Sequence, residues 1–424
     1  MVDNNAAMKR AGATRDEDSP EEAAFRVEAR AFFESVSVRR TDDDETGNYF
    51  AMADNDPGTH ARHVARCKDS QRLIYENGWA GITVPTEYGG RGGAAWQERV
   101  FRQEQARFTV DTGLFAVSLG MVVPTLLVHG TEAQKQRYIL PMLRGEEIWC
   151  QLFSEPGAGS DLAGLSTRAI RDGDEWVVNG QKVWNSGAHH ADFGILVART
   201  DVEVPKHRGI TYFLLDMHTP GVDVRPLRQA TGVAHFNEVF LTDVHIPHEN
   251  VLGEVGGGWG VAQTTLMNER NMIGSGGMGI GFGDYLRMAR DLGVTEDPQI
   301  RQALAACFVR TEVIKYLGAR AQAAVRAGKQ PGPETSVLKL NASLHSALNG
   351  DLGLMIQGAG GMLTGSDAYR RGMFQQMFVG QWGMRIGGGT EQIQRNVIGE
   401  RVLGLPGEAR PDKTLPFKDI PKNG

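Results

Sequence analysis

Cysteine is rare in this chain of 424 residues, which contains only Cys67, Cys150 and Cys307. An odd number of cysteines, each far from the next, gives neither a disulfide framework nor the close spacing of a cysteine metal site. No metal site is therefore predicted. A reducing, cytoplasmic location fits this composition best, because structural disulfides belong to oxidising compartments.

Runs of basic residues are also missing. Lys and Arg number 45 against 51 Asp and Glu, and the resulting net charge of −6 argues against nucleic acid as the main partner. Residues 1–20 are polar and of mixed charge, without the apolar centre of a secretory signal or the acid-poor composition of a transit peptide. We expect these residues to form a disordered tail.

No apolar run in the sequence is long enough to predict a membrane span. An uncharged, largely apolar stretch covers residues 113–128, but Gly120, Pro124 and Thr125 interrupt it. It falls short of the roughly 18–20 apolar residues that cross a bilayer. A buried helix is predicted instead.

The spacing of apolar residues changes along the chain. Phe25, Ala29, Phe32 and Val36 recur at helical spacing, and helical patterns continue to about residue 146. The sequence Thr-Glu-Ala-Gln at 131–134 has the form of a capping box, which predicts the start of a further helix.

The middle of the chain predicts short strands. Asn179-Gly180, a pair typical of a tight hairpin turn, lies between the apolar residues 176–178 and 183–184. Further strands are predicted at residues 195–197, 212–215 and 239–241.

After residue 260 the pattern is helical again, with long helices predicted near 300–317, 337–356 and 390–403. We predict an α+β protein with an N-terminal α-helical domain, a middle β-barrel-like domain and a C-terminal four-helix-bundle domain. The predicted boundaries are a disordered tail 1–20, domains 21–147, 148–253 and 254–405, and an extended, proline-containing tail 406–424.

Residues 153–161 read Phe-Ser-Glu-Pro-Gly-Ala-Gly-Ser-Asp, and Lys-Val-Trp-Asn-Ser follows at 182–186. Gly157 and Gly159 permit tight turns with positive φ, whose N–H groups can converge on an acceptor. Trp184 offers a flat face on which a ring system can stack. Taken alone, the glycines also fit an ordinary turn and the tryptophan also fits a core position.

Four more motifs follow in order: Phe-Asn-Glu-Val-Phe-Leu at 236–241, Glu269-Arg270, Gln-Gly-Ala-Gly-Gly at 357–361, and Gly-Gly-Gly-Thr-Glu-Gln-Ile-Gln-Arg at 387–395. With these motifs the chain resembles the acyl-CoA dehydrogenase family from about Ser19 to Leu405. The resemblance implies FAD as cofactor and α,β-dehydrogenation of an acyl-CoA thioester to trans-2-enoyl-CoA. It also implies electron-transfer flavoprotein as electron acceptor and a role in fatty acid metabolism or other lipid degradation.

The resemblance implies which residues bind the cofactor, partly from a neighbouring subunit. These are Gln151, Phe153, Ser154, Gly159, Ser160, Trp184, Ser186, Gln357, Gly360, Gly361, Thr390 and Gln392. Thr390 is a plausible helix N-cap, and the free N–H groups of a helix N-terminus suit a pyrophosphate.

The catalytic base is expected at an alternative position. In the commoner family pattern, the glutamate that removes the α-proton lies two residues before Thr390, where this chain has Gly388. A minority of members, including isovaleryl- and long-chain-type enzymes, instead carry it directly before an arginine, where this chain has Glu269-Arg270. Glu269 is therefore the predicted base, although a Glu beside an Arg on a helix is ordinarily a solvated pair.

Substrate contacts are expected from Ser160, Arg270, Gly388 and Gly389. The amide of Gly388 would polarise the thioester carbonyl, and its missing side chain would widen the pocket for a branched or bulky acyl chain. Arg270 has two open interpretations, a structural role between helices or a wall of the acyl pocket.

One feature of the C-terminal part leaves the subunit composition open. Many family members carry Arg-x-x-Phe-Gly, which reaches a neighbouring subunit's flavin, whereas this chain has Arg-Asp-Leu-Gly at 290–293. A homotetramer and a heterotetramer with a related subunit both remain possible, as does a flavin-supporting or non-catalytic subunit. An oxygen-using flavin oxidase or monooxygenase is the other alternative.

The sequence Gly-Ser-Gly-Gly-Met-Gly at 274–279 also fits a dinucleotide fingerprint. That fingerprint requires a preceding strand, whereas residues 264–273 predict a helix, so no nicotinamide site is expected there.

Overall fold

The computed structural model describes residues 18–40, 57–275, 280–326, 332–408 and 410–421. Helices form the first and last parts of the chain, and one seven-stranded sheet forms the middle. The predicted α+β architecture is confirmed: helical, β half-barrel and helical domains follow one another.

The N-terminal part consists of helices around an aromatic core. Stacked rings of Trp79 and Phe101, with centroids 5.3 Å apart, lie against Phe33 from the first helix. The capping box at Thr131 is confirmed, because its hydroxyl accepts a bond from the Gln134 amide at 3.2 Å. The helices are α1 (Pro20–Val36), α2 (Pro57–Glu76), α3 (Ala95–Gln105), α4 (Val123–His129) and α5 (Glu132–Leu143).

The apolar stretch 113–128 is helical but not one continuous α-helix. It forms a 3-10 turn at Gly113–Phe115, a π-helical turn at Ser118–Val122 and then α4. Val122 and Leu126 are buried, whereas Val128 is exposed, so the prediction of a buried helix is correct only in part. Among the described helices, none has the length and apolar character that a membrane span requires.

The β-domain is one sheet in the order β1-β4-β2-β3-β7-β6, with β5 paired to β4. Most pairs are antiparallel, but β4 runs parallel to both β1 and β2. The strands are β1 (Trp149–Leu152), β2 (Arg168–Asp172), β3 (Glu175–Val183), β4 (Phe193–Arg199), β5 (Ile210–Asp216), β6 (Val222–Leu227) and β7 (Phe236–Pro247).

The predicted hairpin turn at Asn179-Gly180 is wrong. Both residues lie inside the continuous strand β3, where the pairing with β7 shifts between Val178 and Gly180. A Cβ at Gly180 would lie 2.4 Å from Thr167 Oγ1, so glycine is needed there for close approach of the backbone. The turn instead lies between β2 and β3 at Gly173, whose φ is +58°.

The C-terminal part is a helical bundle. One of its helices, Thr335–Gln357, packs against the helix Met373–Ile386 through small residues: Gly350 approaches the backbone of Phe378, and Gly353 approaches the Phe374 ring. The helices are α6 (Gly258–Ser275), α7 (Phe282–Asp291), α8 (Pro298–Arg326), α9 (Thr335–Gln357), α10 (Met373–Ile386) and α11 (Glu391–Val397), which continues as a π-helical turn to Val402. Residues 274 and 275 belong to α6, which agrees with rejecting the dinucleotide fingerprint, and 276–279 lie outside the described residues.

The segment 411–420 returns to the β-domain, and we call it the C-terminal strap. Phe417 is buried against the guanidinium of Arg199, 3.7 Å from the ring centroid. Asp412 forms an ion pair with Lys206, which also binds Asp161 at 2.8 Å. The strap forms two short 3-10 turns and contributes a core residue to the β-domain.

Candidate active site

The loop 153–161 is held in place by a buried ion pair. Lys182 Nζ donates to Glu155 Oε1 at 2.8 Å and to the Phe153 carbonyl at 3.0 Å. Glu155 also accepts the amides of Ser166 and Thr167, at 2.7 and 2.9 Å. Burial would raise the pKa of Glu155, but the Lys182 charge and these hydrogen bonds hold that pKa below its ordinary value.

The glycines of this loop do not adopt the expected backbone conformation. Neither Gly157 nor Gly159 has a positive φ, and the turn is instead closed by Glu155 and Ala158, which exchange backbone hydrogen bonds at 3.0 and 3.1 Å. An added Cβ at either glycine would meet nothing within 4 Å. Glycine here leaves open space beside exposed Ser160, rather than permitting a left-handed turn.

Trp184 follows β3 directly and stands out in two respects. Its φ is +63°, a left-handed conformation that costs a non-glycine residue energy, and its indole is 60% exposed. The next residue, Asn185, is buried, and its Nδ2 donates to the Gln151 carbonyl at 2.7 Å. This hydrogen bond links the segment after β3 to β1. The Asn185 Oδ1 atom is buried without a hydrogen-bond partner among the described residues.

Glu269 lies on α6 between the sheet and the helical bundle. Burial raises the pKa of Glu269, and a hydrogen bond from Gln151 and the charges of Arg270 and Lys339 oppose that rise in part. The Gln151 side chain is therefore turned toward the carboxylate. Arg270, its neighbour in sequence, is exposed.

Lys339 on α9 is the second charged group of this region. Only 3% of the residue is exposed, and burial lowers its pKa to about 8 against the opposing charges of Glu391 and Glu269. Its Nζ donates to the Met384 carbonyl at 3.1 Å, and the Ser343 hydroxyl donates to the same oxygen at 3.1 Å.

The segment 388–392 joins α10 to α11 close to these charges. Gly388 and Gly389 both have left-handed φ values, +65° and +89°, and both carbonyls accept from Gln394 Nε2. Thr390 is confirmed as the N-cap of α11, because its Oγ1 accepts the Ile393 amide at 3.2 Å. Gln392 is exposed.

The remaining predicted cofactor residues lie at the opposite end of α9. Gln357 ends this helix, 18 residues beyond Lys339, which at 1.5 Å per residue corresponds to about 27 Å. Gln357 Oε1 accepts from Gln375 at 3.0 Å, and the same amide donates to the Gly360 carbonyl at 3.4 Å, while Gly361 is buried. Within one chain, the structure therefore separates residues 357–361 from Glu269.

The departure at 290–293 is a helix terminus. Arg290 lies in the last turn of α7, and Gly293 follows the cap with φ +69°. Arg290 is exposed there.

The burial of Lys339 and the proximity of Gln151 to Glu269 could not be read from the sequence. Lys339 lies inside a helical pattern where a lysine ordinarily faces solvent, so nothing in the local sequence indicated its burial. Gln151 was predicted as a cofactor residue, and its contact with Glu269 depends on the packing of α6 on the sheet.

The residues present fit a flavin. A flat indole is largely exposed beside Ser186, a buried amide oxygen lacks a partner, and the glycine loop leaves open space on one side. Burying one face of an exposed tryptophan under a ring system is favourable. Fold and site together are those of a three-domain flavin-dependent oxidoreductase.

Comparison with protein families identifies the chain. Residues 19–146 match the N-terminal domain, 150–244 the middle domain and 256–403 the C-terminal domain of acyl-CoA dehydrogenases. The chain therefore belongs to the acyl-CoA dehydrogenase family, whose members use FAD.

Three similar proteins illustrate the match. Acyl-CoA dehydrogenase FadE34 of Mycobacterium tuberculosis is 40% identical over 323 residues, which are 76% of this chain and 44% of that protein, so the chain spans less than half of this relative. The solved Tcur3481-Tcur3483 steroid ACAD has a TM-score of 0.77 at 29% identity, covering 92% of this chain and 99% of that one. The ChsE4-ChsE5 complex from M. tuberculosis has a TM-score of 0.73 at 26% identity, covering 93% and 100%.

Proposed function

We propose that this protein dehydrogenates an acyl-CoA thioester to the trans-2-enoyl-CoA, with Glu269 as the base that removes the α-proton. One observation carries the proposal: burial raises the pKa of the Glu269 carboxylate, which has Gln151, Arg270 and Lys339 as its polar neighbours. A partly desolvated carboxylate is a stronger base than one in water. The position at which most family members carry the catalytic glutamate is occupied by Gly388 in this chain.

Each protein residue has a defined task in this proposal. FAD, when bound, supplies the acceptor for the hydride that leaves the β-carbon of the substrate. The Trp184 face and the Ser186 hydroxyl would cover one side of its ring, and the loop anchored by Glu155 and Lys182 would bond its edge. The Gly388 amide would donate to the thioester oxygen, where negative charge develops as the α-proton leaves for Glu269.

We propose a branched or bulky acyl group as the substrate. Gly388 and Gly389 carry no side chains at the position where most family members have the catalytic glutamate, and both have left-handed φ values that disfavour any substitution. The similar solved protein whose name describes it as a steroid ACAD gives this choice independent support. Electron-transfer flavoprotein is the proposed acceptor.

A second candidate is a heteromeric enzyme in which this chain binds flavin together with a different subunit. The roughly 27 Å along α9 between Lys339 and Gln357 suits a Gln357 end that serves a site in another subunit, whether identical or different. The helix end at Arg290–Gly293 replaces the arginine motif that many family members use for such a contact. A neighbouring structure described as a complex of two named chains supports this candidate.

The experiment is an anaerobic visible spectrum of the purified chain, before and after addition of straight, branched and polycyclic acyl-CoAs. We expect bleaching of bound flavin by the bulky members, and a loss of the reduction rate of about 10²–10⁴-fold in Glu269→Gln. Glu254→Gln, which changes an exposed carboxylate before α6, is the matched control and should reduce normally.

Each outcome decides between the candidates. Normal bleaching in Glu269→Gln would remove that residue as the base, and a clear preference for short straight chains would remove the bulky substrate. Fewer than one flavin per chain, restored by a co-expressed related subunit, would establish the heteromer. Oxygen consumption during turnover would instead favour the oxidase.

A further inference from the structure

The imidazole rings of three histidines from two domains lie close together, and two of them follow Trp184 by a few residues in sequence. His60 lies in the first turns of α2, and His189 with His190 forms part of the 3-10 turn Ala188–His190 of the β-domain. One ring nitrogen of each lies within 4.8 Å of the others. The ring centroids of His189 and His190 are 3.8 Å apart, and that of His60 is 5.8 and 5.6 Å from them.

A buried amide orients one of these rings. Asn237 is fully buried, and its Nδ2 donates to the Asn185 carbonyl at 2.8 Å, which leaves its Oδ1 as the acceptor that meets His189 Nδ1 at 2.9 Å. His189 Nδ1 therefore carries the proton, and the lone pair of Nε2 is free to bind an electrophile. A histidine held this way through its second nitrogen is the usual arrangement around a protein-bound metal ion.

We propose that His60, His189 and His190 bind one divalent transition-metal ion of the zinc class. Three imidazole ligands leave a fourth position for water, as in three-histidine zinc sites, and imidazole suits zinc, copper and nickel. The ion would join α2 to the turn that directly follows Trp184–Ser186. The ion would thus connect the N-terminal helical domain to the segment Trp184–Ser186 of the proposed flavin site.

A nearby group is a poorer candidate. His63, Cys67 and Asp111 also lie within ligand distance of one another, but His63 Nδ1 is already 3.2 Å from Asp111. Burial raises the pKa of Cys67 to about 12, so its sulfur stays a thiol, whereas a metal requires the thiolate. Arg66 adds a positive charge at 3.2 Å from Asp111, which disfavours a further cation.

The test uses the full-length chain, with Co²⁺ as a spectroscopic probe and Zn²⁺ in competition with a chromophoric chelator. We expect one equivalent per chain with visible d–d bands of a four- or five-coordinate ion, and a rise of the melting temperature with Zn²⁺. His60→Ala and His190→Ala should each weaken binding at least tenfold. His218→Ala and His245→Ala, which change exposed histidines of the β-domain, should leave binding unchanged.

The readout is independent of flavin and substrate, so it does not depend on the proposed activity. If His190→Ala does not fold, as judged by circular dichroism, His189→Gln and His60→Ala provide the same test. Binding weaker than that of free imidazole, a hexa-aqua-like cobalt spectrum, or equal binding by wild type and His60→Ala would overturn the proposal.

Discussion

At the scale of single residues, buried Lys339 and half-buried Glu269 carry opposite charges that influence each other's protonation. Burial raises the pKa of Glu269, and the Lys339 charge is one of the groups that lower it again. Lys339 itself is costly to bury, because burial reduces its pKa to about 8. We infer that the Lys339 ammonium favours the ionised form of Glu269, the proposed base.

Lys339→Met tests this inference. Methionine preserves the length of the side chain, and Ser343 still donates to the Met384 carbonyl, so the bundle should fold. Without the ammonium, the pKa of Glu269 rises, because one of the positive charges that offset the effect of burial on this pKa is gone. Glu269, the proposed base, is then protonated up to a higher pH. The acid limb of the kcat/KM profile should therefore move to higher pH.

The measurement is the pH dependence of flavin reduction by one acyl-CoA. Lys315→Met, at a surface ion pair of α8, is the control and should superimpose on wild type. An unchanged acid limb in Lys339→Met would show that Lys339 has no electrostatic effect on the base.

The sequence was sufficient to propose Glu269 but not to find its surroundings. Glu269 stands out because Gly388 is vacant and an arginine follows, and both facts are local in sequence. Lys339 is 70 residues away and meets Glu269 only because α9 packs against α6. Which lysine of a helix is buried depends on tertiary packing, and no periodicity reports it.

At the scale of elements, the loop 153–161 depends on Lys182 in the neighbouring strand β3. Lys182→Met removes the ion-pair partner of Glu155 and leaves a buried carboxylate with two amide donors. We expect a loss of about 3–5 kcal/mol in the free energy of unfolding at pH 7, together with weaker flavin binding.

The pH dependence gives this prediction a distinctive sign. In the wild type, the pKa of Glu155 is lowered by folding, so its stabilisation is present above pH ~4.5 and is lost as pH falls through the folded-state pKa. In Lys182→Met the unpaired carboxylate prefers to be protonated, so its deficit against wild type should shrink between pH 7 and pH 5. Urea unfolding at both values measures it, and a deficit that grows at pH 5 would contradict the ion-pair account.

The strands show where local patterns succeed and fail. The apolar runs at 195–197 and 212–215 are buried on both faces in β4 and β5, so composition alone identified them. Asn179-Gly180 has the composition of a turn, but the Asn179 amide donates to Asp243 across the sheet and Gly180 accommodates Thr167. Bulges and turns favour the same residue types, so the sequence alone does not tell them apart. Only the pairing with the neighbouring strand shows which of the two is formed.

At the scale of the whole molecule, the C-terminal strap connects the end of the described chain to the base of the flavin loop. Phe417 covers the buried Arg199, whose guanidinium donates to the Ala163 and Lys206 carbonyls, both at 2.6 Å. Lys206 in turn holds Asp161, the last residue of the loop. The strap thereby supports the site from outside the three predicted domains.

Phe417→Ala should therefore affect more than the strap. Removal of a buried ring costs about 3–5 kcal/mol, and the site should release flavin at a lower temperature than wild type. Leu415→Ala, at a half-exposed neighbour, should change the melting temperature little. Differential scanning fluorimetry of the intrinsic flavin measures both, and equal effects of the two variants would mean that the Arg199 contact is unimportant.

The three-part architecture was predictable, because each part has its own hydrophobic period over many residues. The strap was not, because Phe417 is one aromatic among prolines and its partner Arg199 is 218 residues away in sequence. The separation of Gln357 from Glu269 was also hidden, since motif order along a chain says nothing about which end of a long helix a motif occupies.

Trp184 combines a left-handed backbone with a mostly exposed indole, and this combination bears on how the chain would evolve. Glycine at this position would relieve about 1–2 kcal/mol of backbone strain and would forfeit little buried surface. A collection of variants ranked by melting temperature alone would thus enrich changes that abolish the proposed stacking of Trp184 on flavin. On that proposal, a lineage released from its reaction should lose this tryptophan early, so the residue at this position in descendants would record whether flavin is still bound.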